Sequence, residues 1–199
     1  SEKIALDASL AYVDSDIDYG YDEDWTFTGF DVAGYSATDL YSREVDTLTL
    51  DLRMLSRAGE GLASGAVDWV VGFYALERQV DLTRQYTYLA NDFVSDFAVD
   101  RIAVYGEVSS QLAESLRLSV GLRVEEHSSN YSDSESVSFA PDDNLLGGRI
   151  LLEKTLADEN FLYASLTRGY KSGGFNTSGT LDADLRLFDP ETLWNIELG

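Results

Sequence analysis

The chain has no cysteine, one histidine, two prolines and one methionine in 199 residues. Without cysteine there are no disulfides, no thiolate metal sites and no cysteine nucleophile, although the compartment stays open. One histidine, His127, excludes a histidine-rich zinc site and leaves little room for histidine catalysis. Cations are scarce too. Lys and Arg number 14 against 36 Asp and Glu, for a formal charge of -22. So acidic a surface repels phosphate backbones, and nucleic acid is not an expected partner. Cationic ligands and divalent metals are compatible with it. No apolar run approaches the ~20 residues of a membrane helix. The start carries no basic segment leading into an apolar one, so no signal peptide is expected in this stretch.

What is present points to strands. Aromatics make up 12% of the chain, twelve of them Tyr, alongside 16 Gly. A tyrosine-rich, proline-poor chain with weak hydropathy fits a membrane β-barrel, whose segments look only half apolar. Period-two alternation then recurs along the whole length. Ile4, Leu6, Ala8, Leu10 and Tyr12 oppose Lys3, Asp7 and Ser9. Leu48, Leu50, Leu52 and Met54 oppose Thr47, Thr49, Asp51 and Arg53. Trp69, Val71, Phe73 and Ala75 oppose Asp68, Val70, Gly72 and Tyr74; Ile102, Val104, Gly106 and Val108 oppose Ala103, Tyr105, Glu107 and Ser109. The clearest strand sets Leu116, Leu118, Val120, Leu122 and Val124 against Arg117, Ser119, Gly121, Arg123 and Glu125. Leu146 to Glu153, Phe161 to Thr167 and Trp194 to Gly199 complete the series. No segment shows a helical period. The pattern predicts an all-β antiparallel meander of about eight strands.

The links between these strands are sorted by length. Those after the first, third, fifth and seventh strands run to about 14 to 28 residues (Asp14 to Tyr41 is acidic and aromatic), and those between to about 3 to 10, where hairpin loops usually take 2 to 5. In a meander every second link lies on one edge, so the long loops gather at one edge and the tight turns at the other. Outer-membrane barrels are built this way. Polarity adds a second clue: each strand has one apolar side and one bearing ionised groups such as Asp7, Asp51, Arg53, Glu107, Arg123 and Arg149. Alternation alone fits a soluble sandwich, a small self-closed barrel or part of a transmembrane barrel. Loop sorting and tyrosine content favour the transmembrane barrel.

Few residues suggest chemistry. Asp14, Asp16 and Asp18 share a side, near Asp22, Glu23 and Asp24, but the calcium-loop template fails at Tyr19, where glycine is required, and at Trp25, where the closing Glu belongs. The expectation is a solvated acidic loop. Arg168 and Lys171 beside Gly173 and Gly174 lack the spacing and the following helix of a phosphate loop, and read as interfacial cations at a strand end. His127, after Glu125 and Glu126, reads as an exposed loop histidine, and Glu153 with Lys154 as solvated surface. No catalytic residue, metal ligand or cofactor is expected, and no residue stands out as ligand-binding.

The run Thr167-Arg168-Gly169-Tyr170-Lys171-Ser172-Gly173-Gly174-Phe175-Asn176, followed by Phe188-Asp189-Pro190-Glu191-Thr192-Leu193-Trp194-Asn195-Ile196-Glu197-Leu198-Gly199, resembles the mid-barrel signature of TonB-dependent outer-membrane receptors. Trp69 to Tyr74 and Val120 to Glu125 resemble the matching strands upstream. The resemblance implies a Gram-negative outer-membrane protein and no enzyme. It implies active uptake of a scarce ligand, such as an iron-siderophore complex, with energy from TonB. It also implies that residues 1–199 are one segment of a larger plugged barrel, about a third of its wall, with the plug domain and remaining strands absent. Such a piece would contact the lipid bilayer and expose strand edges near Ile4 and Ile196 that favour self-association. The alternative from the residues alone is a soluble all-β binding module, with carbohydrate or calcium at the acidic aromatic loops.

Overall fold

The computed structural model describes residues 3–27, 29–30, 36–57, 59–156, 160–177, 181–182 and 185–199. Among these residues eight long strands form one antiparallel meander in chain order. They are β1 (Ile4–Asp22), β2 (Thr38–Ser56), β3 (Val67–Tyr86), β4 (Phe93–Ala113), β5 (Leu116–Asp133), β7 (Asp142–Thr155), β8 (Phe161–Lys171) and β11 (Glu191–Leu198). Short β6 (Ser138–Phe139) pairs with β5, and β9 (Gly174–Phe175) pairs with β10 (Leu187–Phe188). One helical turn, α1 (Leu62–Gly65), lies between β2 and β3.

The alternating stretches are all strand, and the meander has the expected order. The strands extend further than the alternation does. β1 continues through Asp14, Asp16 and Asp18 to Asp22, and β2 already begins at Thr38, so the acidic aromatic loop shrinks to residues 23–37. The link after β3 shrinks to 87–92 and the one after β5 to 134–141, while 172–190 remains long. On the other edge the links are 57–66, 114–115 and 156–160; residues 157–159, part of the expected turn at Ala157 to Asn160, lie outside the described residues. Loop sorting therefore holds at 23–37 and 172–190 but not at 87–92 or 134–141, both shorter than 57–66.

The core is inverted relative to a water-soluble sheet. Among the described residues five apolar and eight polar ones are buried, and the polar set includes Asp39, Glu125, His127 and Ser129. Except for Ala37 and Ser56, these lie on the ionised side of the strands. The apolar side is open: Leu6 is 77% exposed, Leu122 62% and Ile196 74%. Among the described residues no second sheet packs on that apolar face, which excludes the sandwich alternative. β1 and β11 do not pair with each other, so the sheet is not a closed small barrel. Side chains alternate across a strand, so one apolar face against acyl chains leaves the other to line an interior.

The ladder shows where the apolar band ends. Leu6, Met54, Val71, Gly106, Leu122, Gly148, Arg168 and Trp194 are successive in-register partners across the sheet. On the apolar face the first polar residue above that row is Asp14 on β1, Asp46 on β2, Glu77 on β3, Asp100 on β4, Glu126 on β5 and Asn144 on β7. On β8 it is Arg168, in the row itself, and on β11 it is Thr192. The last residue before the first polar one falls from Tyr12, six residues past Leu6 in β1, to Trp194 in β11. A drop of ~0.9 residue per strand, at ~3.3 Å rise and ~4.8 Å spacing, corresponds to a tilt of about 30°. Barrel strands tilt by roughly 35–45°. Tyr12 and Trp194 thus mark the rim, where aromatic rings with a polar edge are favoured. β3 has 20 residues and β4 has 21, enough for a tilted height of about 50 Å against an apolar band of about 25 Å. The surplus projects beyond the membrane at the long-loop end.

Candidate functional site

The ionised face carries a continuous polar network at membrane depth. Asp51 takes two hydrogen bonds from Arg53, at 2.6 and 3.1 Å, and one from the Tyr105 hydroxyl at 2.8 Å. Arg53 Nε also donates to Tyr105 at 3.0 Å. Arg123 lies over the Tyr74 and Tyr105 rings, 5.2 and 5.7 Å from their centroids. It donates to Glu125 at 2.5 Å and to the Tyr170 hydroxyl at 3.0 Å, and Tyr170 in turn donates to Glu125 at 3.1 Å. Towards the turn end Arg149 pairs with Glu107 at 2.6 Å, and the Ser109 and Ser119 hydroxyls meet at 2.7 Å. Each cation here has a carboxylate within reach.

Glycines make room for these tyrosines. A Cβ on Gly72 would stand 2.1 Å from Tyr105 Cζ, and one on Gly147 would stand 2.9 Å from the Tyr170 ring. The cross-strand ring covers the bare backbone in both cases. Tyr170 also departs from the alternation of its own strand. Strict period two would place it on the side of Leu166, yet its hydroxyl joins Arg123 and Glu125. The β7–β8 ladder ends at Gly148 and Arg168, where Arg168 donates to the Leu146 carbonyl, while β8 stays paired with β11 through Lys171.

At the long-loop end Arg84 makes a two-pronged pair with Asp39, at 2.6 and 2.8 Å, and Tyr41 donates to Asp39 at 3.0 Å. The Tyr41 ring stacks on Tyr19 at 4.9 Å. Between this cluster and the membrane-depth network lies a recess of about 720 Å³. Arg43, Arg78, Arg101 and His127 line it, with Phe97, Val99 and Tyr131. The β9–β10 hairpin roofs it. Phe175 stacks on Phe139 at 5.0 Å and meets Phe97 edge-on at 5.7 Å, while the Gly173 amide donates to Asp143 at 2.8 Å. Arg101 Nε donates to His127 Nδ1 at 3.0 Å, an acceptor available only on the neutral ring.

Several expectations change. His127 is no exposed loop residue: it is 5% exposed in the interior of β5. Its Ser- and Asp-rich surroundings mimic a loop because both faces turn polar above the membrane. Asp14, Asp16 and Asp18 share a side as expected, but on a strand above the rim rather than in a loop. Among the described residues no three carboxylates or histidines gather to hold a metal. Arg168 lies at the rim, while Gly173 and Gly174 enter the hairpin over the recess. The alternation pattern alone does not single out Arg43, Arg78 and Arg101. Their signal is cations at inward positions whose same-face neighbours two residues away, and whose partners across the ladder, are uncharged.

The outer loop at residues 23–37 is tied at its neck. Asp24 accepts from the Thr26 amide at 2.9 Å, the Thr26 hydroxyl at 2.8 Å and the Ala37 amide at 3.0 Å. The Thr26 hydroxyl bond first, then the two amides, hold its carboxyl at about 2, below the usual range.

Comparison with known proteins agrees with this geometry. The family profile described as TonB dependent receptor-like, beta-barrel matches residues 2–199. No curated protein matches the chain. Among solved structures, the ferric yersiniabactin uptake receptor FyuA from Yersinia pestis superposes with a TM-score of 0.76 at 19% identity, covering 100% of this chain and 31% of that one. The copper transporter OprC gives 0.72 at 18% identity, covering 100% of this chain and 33% of that one. The chain thus spans about a third of the length of the structures it matches. With an apolar belt outside, paired ions inside and a family match along nearly its whole length, the chain belongs to the TonB-dependent receptor β-barrel family, whose members lie in the Gram-negative outer membrane and are transporters rather than enzymes.

Proposed function

We propose that the chain forms part of the wall of an outer-membrane receptor that takes up a scarce ligand, an iron-siderophore complex, using energy relayed by TonB. The supporting observation is the inverted sheet: Leu122 open on one face and the Arg123–Glu125 pair sheltered on the other. That arrangement suits a wall between lipid and a polar lumen. The two similar structures are described as a ferric yersiniabactin receptor and a copper transporter, and both descriptions name metal cargo. In this reading residues 1–199 are a single barrel segment, and a plug domain that TonB engages belongs to a longer protein. Among the described residues β1 and β11 each leave one edge unpaired, and those edges would join further strands or, in an isolated piece, another copy.

The test is uptake of radiolabelled iron-siderophore by cells expressing the full receptor. Transport should require TonB and collapse with a protonophore. Uptake that survives loss of TonB would refute the energised mechanism. Energised uptake of a different cargo would refute only the siderophore.

A further inference from the structure

The geometry points to an oxyanion-binding site in the recess beneath the β9–β10 hairpin, where Arg43, Arg78 and Arg101 would grip the carboxylate or phosphate groups of a small ligand. This rests on reading the chain as a receptor wall and names the chemical class of what it receives.

The argument begins with counter-charge. The cations at membrane depth are each paired with a carboxylate. Among the described residues the three in the recess are not, in a chain whose formal charge is -22. Arg43 sits between Ile17 and Leu82 across the ladder, Arg78 between Thr47 and Val99, and Arg101 between Leu76 and His127. None of these neighbours is acidic. Asp143, the in-register partner of His127, is engaged by the Gly173 amide. Arg43 Nε is buried and has no hydrogen-bond partner. Buried guanidinium nitrogens are ordinarily satisfied, so an orphan on an arginine that lines a cavity points to an absent acceptor. A planar guanidinium fork matches carboxylate and phosphate oxygens two at a time.

Position and size favour a small ligand over a protein segment filling the lumen. Arg101 is adjacent to Ile102, the last apolar residue on the opposite side of β4, so the recess sits at the outer rim. The chain's own hairpin roofs it, with Phe97 and Phe175 as apolar wall. Its 720 Å³ falls within the roughly 300–1,000 Å³ of small-molecule sites.

The experiment is calorimetric titration of the full-length receptor in detergent with citrate and with tripolyphosphate. One or both should bind, and more weakly as salt is raised. Arg43→Gln and Arg78→Gln should each weaken binding roughly tenfold or more, as expected on removing a charge-assisted hydrogen bond. Arg78 is exposed, so its replacement leaves packing intact, and heat-modifiable electrophoretic mobility confirms a folded barrel. Arg117→Gln, beside Asp68 near the turn end, should bind like the parent. Failure of both anions to bind, or equal affinity in the Arg43 and Arg78 variants, overturns the site. So does destabilisation by Arg78→Gln without loss of anion binding, which would mean that carboxylates from elsewhere in the protein occupy the recess. If TonB-dependent uptake persists without anion binding, the site alone fails; loss of energised uptake in the parent refutes the transport reading.

Discussion

Gly72 and Tyr105 are in-register partners on β3 and β4, and the tyrosine ring fills the space that a side chain on the glycine would need. The pairing holds the Tyr105 hydroxyl within reach of both Asp51 and Arg53. Gly72→Val should push the ring aside and break both bonds, destabilising the receptor by about 1–3 kcal/mol. Gly169→Ala is the matching control, because nothing lies within 4 Å of its added Cβ. Urea unfolding of reconstituted protein, followed by tryptophan fluorescence, should separate the two. Equal effects would mean that the ring is not held by the glycine.

Glu125 anchors the middle of the interior network. Its side chain is 6% exposed and it receives both Arg123 and Tyr170. Glu125→Ala should cost about 1–3 kcal/mol by leaving Arg123 short of its acceptor. Tyr170→Phe should cost about 1 kcal/mol. The double variant should fall short of the sum by at least about 0.5 kcal/mol, since residues within one network couple. Strict additivity in urea titrations would show that Tyr170 and Glu125 act independently.

Legibility in the sequence followed the medium that each stretch meets. Between Leu116 and Val124, lipid on one side and an enclosed interior on the other impose a sharp alternation, so strand and facing were readable. Above the rim both sides meet water or polar groups. Asp14 to Asp22, Thr38 to Tyr41 and His127 to Asp133 therefore read as loop although they are hydrogen-bonded strand. The same loss of contrast hid His127. Tyr170 was misleading for another reason: past Arg168 its strand no longer pairs with β7, and period two assumes a strand paired on both sides. The three recess arginines come together only once the register of β2, β3 and β4 is known.

The descending rim makes a positional prediction on β5. Leu122→Arg places a cation within the apolar band and should cost about 2–4 kcal/mol of stability in a bilayer. Glu126→Arg, on the same face but past the rim, should cost about 0–1 kcal/mol. Refolding into phospholipid vesicles across a urea series measures both. A similar penalty at the two positions would mean that the band extends past Glu126 and that the tilt inferred from the ladder is wrong.

Asp24 should make the neck of the outer loop sensitive to acid in a defined window. Its carboxyl is held at about 2 by the Thr26 hydroxyl and by the Thr26 and Ala37 amides, against an ordinary value of 3.8. The folded value is the lower one, so the anchor is at full strength above the ordinary value. It weakens as pH falls below that, and is lost as pH passes through about 2. With no cysteine in the chain, Phe30→Cys provides a single attachment point for a spin label inside the loop. The label should stay restricted from pH 7 to pH 4, loosen between pH 4 and pH 2, and already be loose at pH 7 in Asp24→Ala. A label equally restricted in Asp24→Ala at pH 7 would show that the loop is held by something other than this carboxylate.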